Sequence, residues 1–179
     1  MQGIYSHHSM NSLETPSNDP MALVSTPLIP RPSPCPRSHY RRFQSISTRW
    51  ADNDVYGHVN NVVYYSWFDT AVNGYLIAQG ALDIHHGAVI GLVVETQCNY
   101  FSPIAFPQAV TAGIRVARIG GSSVSYEVGL FADNQELSNA HGHFVHVYVD
   151  KTTRRPVQLS AQSPLPAISQ LFNTLETLR

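Results

Sequence analysis

One stretch decides the fold of this chain: residues 60–80, Asn-Asn-Val-Val-Tyr-Tyr-Ser-Trp-Phe-Asp-Thr-Ala-Val-Asn-Gly-Tyr-Leu-Ile-Ala-Gln-Gly. The two asparagines at its start have the side chains that begin helices, and Gly80 suits a helix end. Between them, apolar residues fall on almost every face, so a helix here must be enclosed by a membrane or by protein. Asp69 and Asn73 argue against a bilayer. The stretch therefore predicts a long core helix.

The rest of the chain predicts strands around that helix. Four segments rich in β-branched and aromatic residues follow it, at 89–101, 109–119, 122–132 and 137–150. The Gly-Gly and Asp-Asn-Gln turns between the later segments favour antiparallel hairpins over crossover helices. Ahead of the helix, alternation within residues 42–51 predicts a further strand, followed by a turn rich in Asp, Asn and Gly. This pattern predicts an α+β fold in which one curled antiparallel sheet wraps a long central helix, leaving its edges to other subunits.

The two ends of the chain differ from this middle part. Seven of the twelve prolines fall between Pro16 and Pro36, so residues 1–38 are predicted to be a disordered or loosely attached tail. Residues 39–179 are predicted to form a single domain. It would end in a short amphipathic helix, because apolar residues recur there at helical spacing: Ile168, Leu171, Phe172, Leu175 and Leu178.

Composition excludes several classes of protein. The 179 residues carry a formal net charge of −1, which does not indicate nucleic acid or an anionic membrane as a partner. No run approaches the roughly 20 apolar residues of a membrane span. Only 13% of residues are charged, which suggests that partner subunits cover part of the surface. The two cysteines, Cys35 and Cys98, are too few for a disulfide framework and fit a reducing compartment.

These features predict a cytoplasmic protein. Four arginines, at positions 31, 37, 41 and 42, leave import into mitochondria as an alternative. The prolines ahead of them would, however, break the amphipathic helix that a presequence needs.

The turn before the helix contains a recognisable motif. Asp-Asn-Asp-Val-Tyr-Gly-His-Val-Asn-Asn at 52–61 resembles the Asp-x-Asp-x-x-Gly-His-Val-Asn-Asn motif of the 4-hydroxybenzoyl-CoA thioesterase-like family of hotdog-fold acyl-CoA thioesterases. Tyr-Tyr-Ser-Trp-Phe-Asp at 64–69, the Val-Glu strand from 94 to Pro103, and the segment from Ala140 to Pro156 are also similar to the family and occur in its order. The resemblance covers roughly residues 43–159.

The resemblance implies a hotdog fold and a site at the helix start. It makes Asp54 the catalytic carboxylate and the backbone N–H of Asn61 the donor to the oxyanion, with Gly57, His58 and Asn60 supporting the turn. The chemistry agrees, because thioester hydrolysis needs a nucleophile or an activated water and a donor for the developing charge. The unpaired N–H groups and dipole at a helix start can provide that donor. Whether Asp54 attacks directly or activates water stays open.

Other residues of the motif have structural interpretations. Asp52 and Asp54 are both typical turn and capping residues, and Asp52 is interpreted as structural. His58 is predicted to be hydrogen-bonded locally, positioning the turn, rather than to act as an acid. An unpaired charge at Asp69 would be expensive inside an apolar helix, so we expect it to be paired, with a subunit contact as one option.

Several residues are candidates for contact with the substrate. Tyr64 and Tyr65 are core residues that would also line an acyl pocket. Glu95 would lie near the site across a dimer in the resemblance. Where some relatives carry basic residues that bind the CoA nucleotide, this chain has Gly-Gly-Ser-Ser at 120–123. Other cations would have to bind the phosphates, and the candidates are Arg115, Arg118, Arg154 and Arg155.

A metal site is not predicted. Asp52, Asp54 and His58 have no further ligand cluster nearby in the sequence. His141 and His143 would share one face of a strand while His146 points to the other, so this segment alone cannot form a three-histidine site.

The sequence thus predicts a homodimeric or homotetrameric thioesterase without a cofactor. Its substrate would be an acyl or aroyl thioester of CoA or of an acyl carrier protein. Two alternatives remain: a non-catalytic protein that binds acyl thioesters, and a hotdog dehydratase or isomerase, which typically uses a histidine paired with an acid.

Overall fold

The structure, a computed structural model, describes residues 31–40 and 42–159. Five strands and one long helix follow one another in the order β1 (Arg42–Ile46), α1 (Asn61–Ala78), β2 (Val89–Tyr100), β3 (Val110–Ile119), β4 (Ser123–Ala132) and β5 (Ala140–Asp150). The strands form one sheet in the spatial order β1-β3-β4-β5-β2, and all neighbours are antiparallel. One helix packed on one open antiparallel sheet confirms the predicted hotdog architecture.

The ends of α1 are set by the residues that the sequence indicated. The Asn60 side chain accepts a hydrogen bond from the Val62 N–H (3.1 Å) and so caps the helix start. At the other end, Gly80 has a φ of +67°. Its N–H bonds the Ile77 carbonyl (3.0 Å) and the Ala81 N–H bonds the Leu76 carbonyl (2.8 Å). This is a Schellman motif, in which the glycine takes the left-handed conformation.

The core lies between α1 and the inner face of the sheet. Alternate residues of the central strands point towards the helix and are buried. The helix lies close to the sheet at Gly142 of β5, where a Cβ atom would lie 2.5 Å from the ring of Phe68. Phe68 is fully buried. A glycine is therefore needed on β5 for the helix to lie this close to the sheet.

Enclosure of the helix is incomplete within one chain. Seven of its residues are buried against the sheet, but Val62 and Ile77 are 64% and 48% exposed. Asp69 also lies on the exposed side, where its carboxylate accepts a hydrogen bond from the Asn73 side chain (2.9 Å). The expectation of complete enclosure is thus not met by a single chain. Asp69 is paired within its own helix in the single chain.

Strand β2 has no buried residue. Among the described residues it pairs only with β5, so one edge of its twelve residues has no partner strand there. Leu92, Val93 and Val94 are 39%, 46% and 60% exposed. Because adjacent residues of a strand point to opposite faces, β2 exposes apolar side chains on both faces beside an open edge.

Several boundaries differ from the predicted ones. The first strand ends at Ile46, and Trp50–Asp52 forms a short 3-10 turn instead, because the buried Asp52 carboxylate accepts the Arg49 backbone N–H (2.8 Å). The last strand begins at Ala140 rather than at 137. The predicted C-terminal helix lies outside the described residues.

The segment before β1 is bound to the β4–β5 loop. Cys35 exchanges hydrogen bonds with Ser138, and the Arg37 N–H bonds the Glu136 carbonyl (2.8 Å). Tyr40 is buried. Within the described residues, the segment from Cys35 to Tyr40 therefore contacts the sheet domain. The predicted boundary at 39 stays a prediction.

Candidate active site

A tight hairpin holds Asp54 just ahead of α1. Asn53 and Val59 form an antiparallel bridge, and the Asp54 N–H bonds the His58 carbonyl (2.8 Å). The Gly57 N–H closes the turn on the Asp54 carbonyl (3.1 Å), and Gly57 has a φ of +81°. A Cβ on Gly57 would touch nothing within 4 Å. The glycine is thus required for its backbone conformation, not for a close approach of the chain.

The Asp54 carboxylate is partly fixed and partly free. Oδ1 accepts the Tyr56 N–H (2.8 Å), which is the turn interaction that aspartate typically makes. Among the described residues, no hydrogen-bond donor contacts Oδ2. One oxygen therefore orients the side chain, while the other is left for chemistry.

Asp52 has the structural role that the sequence predicted. It is buried, it binds the Arg49 guanidinium (2.8 Å), and its backbone carbonyl accepts the Asn60 N–H (2.8 Å). This last bond ties the hairpin to the residue that caps α1.

The helix start leaves one donor unused. Asn60 accepts the Val62 N–H with its side chain and the Val63 N–H with its carbonyl (2.9 Å). Among the described residues, no acceptor binds the N–H of Asn61. The first N–H of the helix is therefore a free donor at the positive end of the helix dipole.

A cleft of about 290 Å³ opens at this point. It is lined by the helix start and by the end of β2 with the residues that follow: His58, Val59, Asn61, Tyr64, Tyr100, Phe101, Ser102 and Pro103. The Tyr100 hydroxyl donates to the Asn61 carbonyl (3.3 Å), and its ring meets Tyr64 edge-on at 5.0 Å. Burial raises the pKa of Tyr64 to about 12, and the Asp54 charge adds to the rise. Asp54 thus lies within electrostatic range of the cleft.

The residues that hold the cleft wall were not found from the sequence. The Asn53 side chain accepts the Phe106 N–H (3.0 Å), and the Val59 N–H bonds the Ile104 carbonyl (2.7 Å). Buried Asn139 binds the Ser102 hydroxyl (2.8 Å). Of these residues, only Asn53 lies in a motif that the sequence singled out. The contacts themselves could not be predicted, because the partners of Asn53 and Asn139 are distant along the chain.

Some predicted residues are placed differently. Among the described residues the His58 side chain has no hydrogen-bond partner. It is exposed and lines the cleft, so only its backbone carbonyl supports the turn. Tyr65 is half-buried beside Phe68 and does not line this cleft. Glu95 lies 3.9 Å from His143. It shares the outer sheet face with that residue, away from α1, so a single chain does not bring Glu95 to Asp54.

The four arginines do not reach the cleft within one chain either. Arg115 forms an ion pair with Glu127 on β4. Arg118 is exposed and lies level with Glu95, in the middle of β2. Arg154 and Arg155 are exposed at the end of the sheet where β2 begins. The cleft lies where β2 ends, eleven residues further along, or about 36 Å at the usual strand rise.

The histidines of β5 behave as the alternation predicted. His141 and His143 lie on the outer face, and His146 points into the core. Within residues 31–40 and 42–159, no three His, Cys, Asp or Glu side chains are grouped as metal ligands would be. No helix of this part of the chain is long and apolar enough to cross a membrane.

A carboxylate in the turn just ahead of a helix start with an unused N–H, in a hotdog fold, is the kind of site that thioester hydrolysis requires. The model of the thioesterase superfamily matches residues 56–139. The chain belongs to this superfamily and is a thioester hydrolase. The match begins two residues after Asp54, and it includes Asn61 and the cleft wall.

Solved structures agree with this assignment. The PA5185 protein of Pseudomonas aeruginosa is 55% identical, over 78% of this chain and 96% of its own, with a TM-score of 0.74. A Thermus thermophilus thioesterase complexed with coenzyme A and Zn is 26% identical, over 76% and 95%, with a TM-score of 0.57. The DHNA-CoA thioesterase of Staphylococcus aureus, 22% identical over 76% and 91% with a TM-score of 0.64, shares the fold. No protein of curated function matches the chain significantly.

Proposed function

We propose that this protein hydrolyses an acyl or aroyl thioester of coenzyme A, with Asp54 as the reacting carboxylate and the Asn61 N–H as the oxyanion donor. The observation that carries the proposal is the pairing of a carboxylate with one free oxygen and a helix start with one free N–H. We assign the reaction to the cytoplasm, where two free thiols, Cys35 and Cys98, are stable.

The chemistry has two routes through the same carboxylate. As a base, Asp54 takes a proton from water, the water oxygen bonds the carbonyl carbon, and the C–S bond breaks as the thiolate leaves with that proton. As a nucleophile, the Asp54 carboxylate bonds the carbonyl carbon, the C–S bond breaks and the thiolate leaves; water then hydrolyses the resulting anhydride to the acid and the free Asp54 carboxylate, and the proton released goes to the thiolate. In both routes negative charge grows on the carbonyl oxygen, where the Asn61 N–H and the helix dipole stabilise it.

Two observations support coenzyme A as the thiol carrier. The Thermus relative was crystallised with coenzyme A. In addition, Arg118, Arg154 and Arg155 are exposed and available for phosphates. An acyl carrier protein is the competing carrier. It presents the acyl group on phosphopantetheine alone, so a comparison of its rate with that of acyl-CoA distinguishes the two carriers.

The proposal includes a homodimer formed by β2. A long, exposed, apolar edge strand is an aggregation hazard unless another chain covers it. A two-fold axis near the middle of β2 would pair the strand with its copy and make one continuous sheet. Antiparallel pairing would also place Arg154 and Arg155 of the partner subunit near the end of β2 that carries the cleft. Further association to a tetramer would use other surfaces.

A hotdog dehydratase or isomerase, the alternative, would use a histidine paired with an acid at the cleft, and the described residues hold no such pair there. Among the described residues, the two contacts between a β5 histidine and a carboxylate lie on the outer sheet face, at His141–Glu127 and His143–Glu95. The non-catalytic alternative is addressed by the experiment below.

The test is thiol release from a panel of acyl-CoA, aroyl-CoA and acyl-carrier-protein substrates. Asp54→Asn should lower kcat by roughly 10²–10⁴-fold, the usual contribution of an acid or base. Asp69→Asn is the matched control, because it makes the same carboxylate-to-amide change at an exposed position of α1, and it should retain activity. An Asp54→Asn enzyme as fast as wild type would refute the mechanism. Absence of thiol release by wild type from every substrate would favour the binding protein.

Repeated turnover in ¹⁸O-labelled water tests for the nucleophilic route. Label in the peptide that contains Asp54 shows that water hydrolyses an anhydride at the Asp54 carbonyl, whereas general-base catalysis places label only in the released acid.

A further inference from the structure

Ser102 is a second polar group in the cleft that the mechanism above does not use. It lies two residues after the end of β2 and lines the cleft together with Asn61 and Tyr64. Its side chain is exposed to the cleft, and its backbone N–H bonds the Asn139 carbonyl (3.2 Å).

Asn139 fixes the direction of the Ser102 hydroxyl. Asn139 is 1% exposed, and its Oδ1 accepts the Ala132 N–H (2.7 Å). Because a backbone N–H can only donate, this contact assigns the amide oxygen. The other amide atom, Nδ2, is therefore the donor to Ser102 Oγ (2.8 Å), and it also approaches the Pro103 carbonyl (3.5 Å).

The serine must accept this bond, so its own proton points elsewhere. A hydroxyl has one proton and two lone pairs. One lone pair is used by Asn139, and among the described residues no acceptor takes the proton. The Ser102 O–H is thus a donor held in the cleft by a buried amide that is bonded at both ends.

We propose that Ser102 donates a second hydrogen bond to the thioester carbonyl oxygen, beside the Asn61 N–H, and that Asn139 is the residue that positions it. The inference rests on the proposed function. A carbonyl oxygen that becomes an oxyanion can accept more than one donor, and preorganised donors act where the charge develops. The neighbouring Tyr100 hydroxyl is already committed to the Asn61 carbonyl.

Ser102→Ala tests the donor. With the best substrate of the panel, kcat should fall by roughly 10²-fold while KM stays nearly constant, because the bond strengthens only as charge develops. Ser102→Thr keeps the hydroxyl and should restore most of kcat. Ser66→Ala, an exposed serine change on α1, is the control. An unchanged kcat in Ser102→Ala overturns the proposal, as does a rise in KM alone.

Asn139→Asp tests the positioning role. A carboxylate oxygen in place of Nδ2 would accept the Ser102 proton and turn the hydroxyl away from the cleft. The kcat loss should match that of Ser102→Ala, and the double variant should be no slower than either one. Additive losses would overturn the role of Asn139. Thermal unfolding checks folding, and Asn139→Ser, which keeps a small donor, is the second variant should the buried acid unfold the protein.

The two proposals fail in different ways. Loss of activity in Asp54→Asn with full activity in Ser102→Ala refutes Ser102 alone. Full activity in Asp54→Asn refutes the proposed function, whatever Ser102 does.

Discussion

His146 should make the stability of this protein sensitive to acid. Its imidazole is 1% exposed, and neither ring nitrogen has a hydrogen-bond partner among the described residues. Three aromatic rings surround it, those of Phe144 at 4.9 Å, Tyr126 at 5.4 Å and Tyr148 at 6.1 Å. Burial in this apolar site lowers the pKa of His146 from 6.5 to about 4, because the charged ring is poorly solvated there.

The sign and size of the effect follow from this pKa difference. Between pH 4 and 6.5 the unfolded chain binds a proton that the folded chain does not, so the free energy of unfolding rises with pH. Stability is therefore complete above pH 6.5 and falls as the pH drops towards 4. At 1.36 kcal/mol per pH unit, a shift of this size corresponds to about 3 kcal/mol.

Urea unfolding at fixed protein concentration between pH 4 and 7 measures this effect. His146→Phe should remove about 3 kcal/mol of the pH dependence. His141, whose pKa is also lowered by burial, will leave a residual slope in both proteins. His86→Gln, at an exposed ring, is the control and should keep the wild-type slope. Parallel curves for wild type and His146→Phe would refute the reasoning, and His146→Leu repeats the test without an aromatic ring.

Two further substitutions test the packing and the subunit interface. Gly142→Ala should lower the free energy of unfolding by about 1–3 kcal/mol, since the added Cβ would overlap Phe68. Chemical denaturation measures this change. Gly121→Ala is the control, because Gly121 is exposed and an added Cβ there meets only a side chain at 3.8 Å. Val94→Lys should dissociate the dimer, as measured by light scattering, because two ammonium groups would meet near the two-fold axis. The same variant should raise KM for acyl-CoA but not for acyl-pantetheine. A dimer of unchanged stability would contradict the β2 interface.

Local patterns were sufficient for the elements of the fold. The apolar run, its Asn60 cap and its Gly80 terminus act within a few residues, so the bounds of α1 follow from sequence. Alternation gave the four later strands to within a few residues, because the pleat is a local property. The end of β1 could not be predicted, since it depends on the Asp52 carboxylate folding back on Arg49.

For the site, the sequence by itself determined the class of chemistry, through the family resemblance, and the turn that contains Asp54 and Asn61. Both residues belong to one contiguous motif, so the sequence alone could propose them; their roles stay predictions. Predictions that depend on distant strands stay predictions. Within one chain, Glu95 lies 3.9 Å from His143 and Arg115 pairs with Glu127, both on the outer sheet face.

Only the tertiary structure decided which donors remain free. The unpaired Asn61 N–H is defined by what Asn60 already binds, and the direction of the Ser102 hydroxyl is defined by Asn139, which lies 37 residues away in the chain. Hydrogen-bond pairing is exclusive, so a free donor can be recognised only once every competing acceptor has been placed in space. The open edge of β2 is decided in the same way, by the order of strands in the sheet.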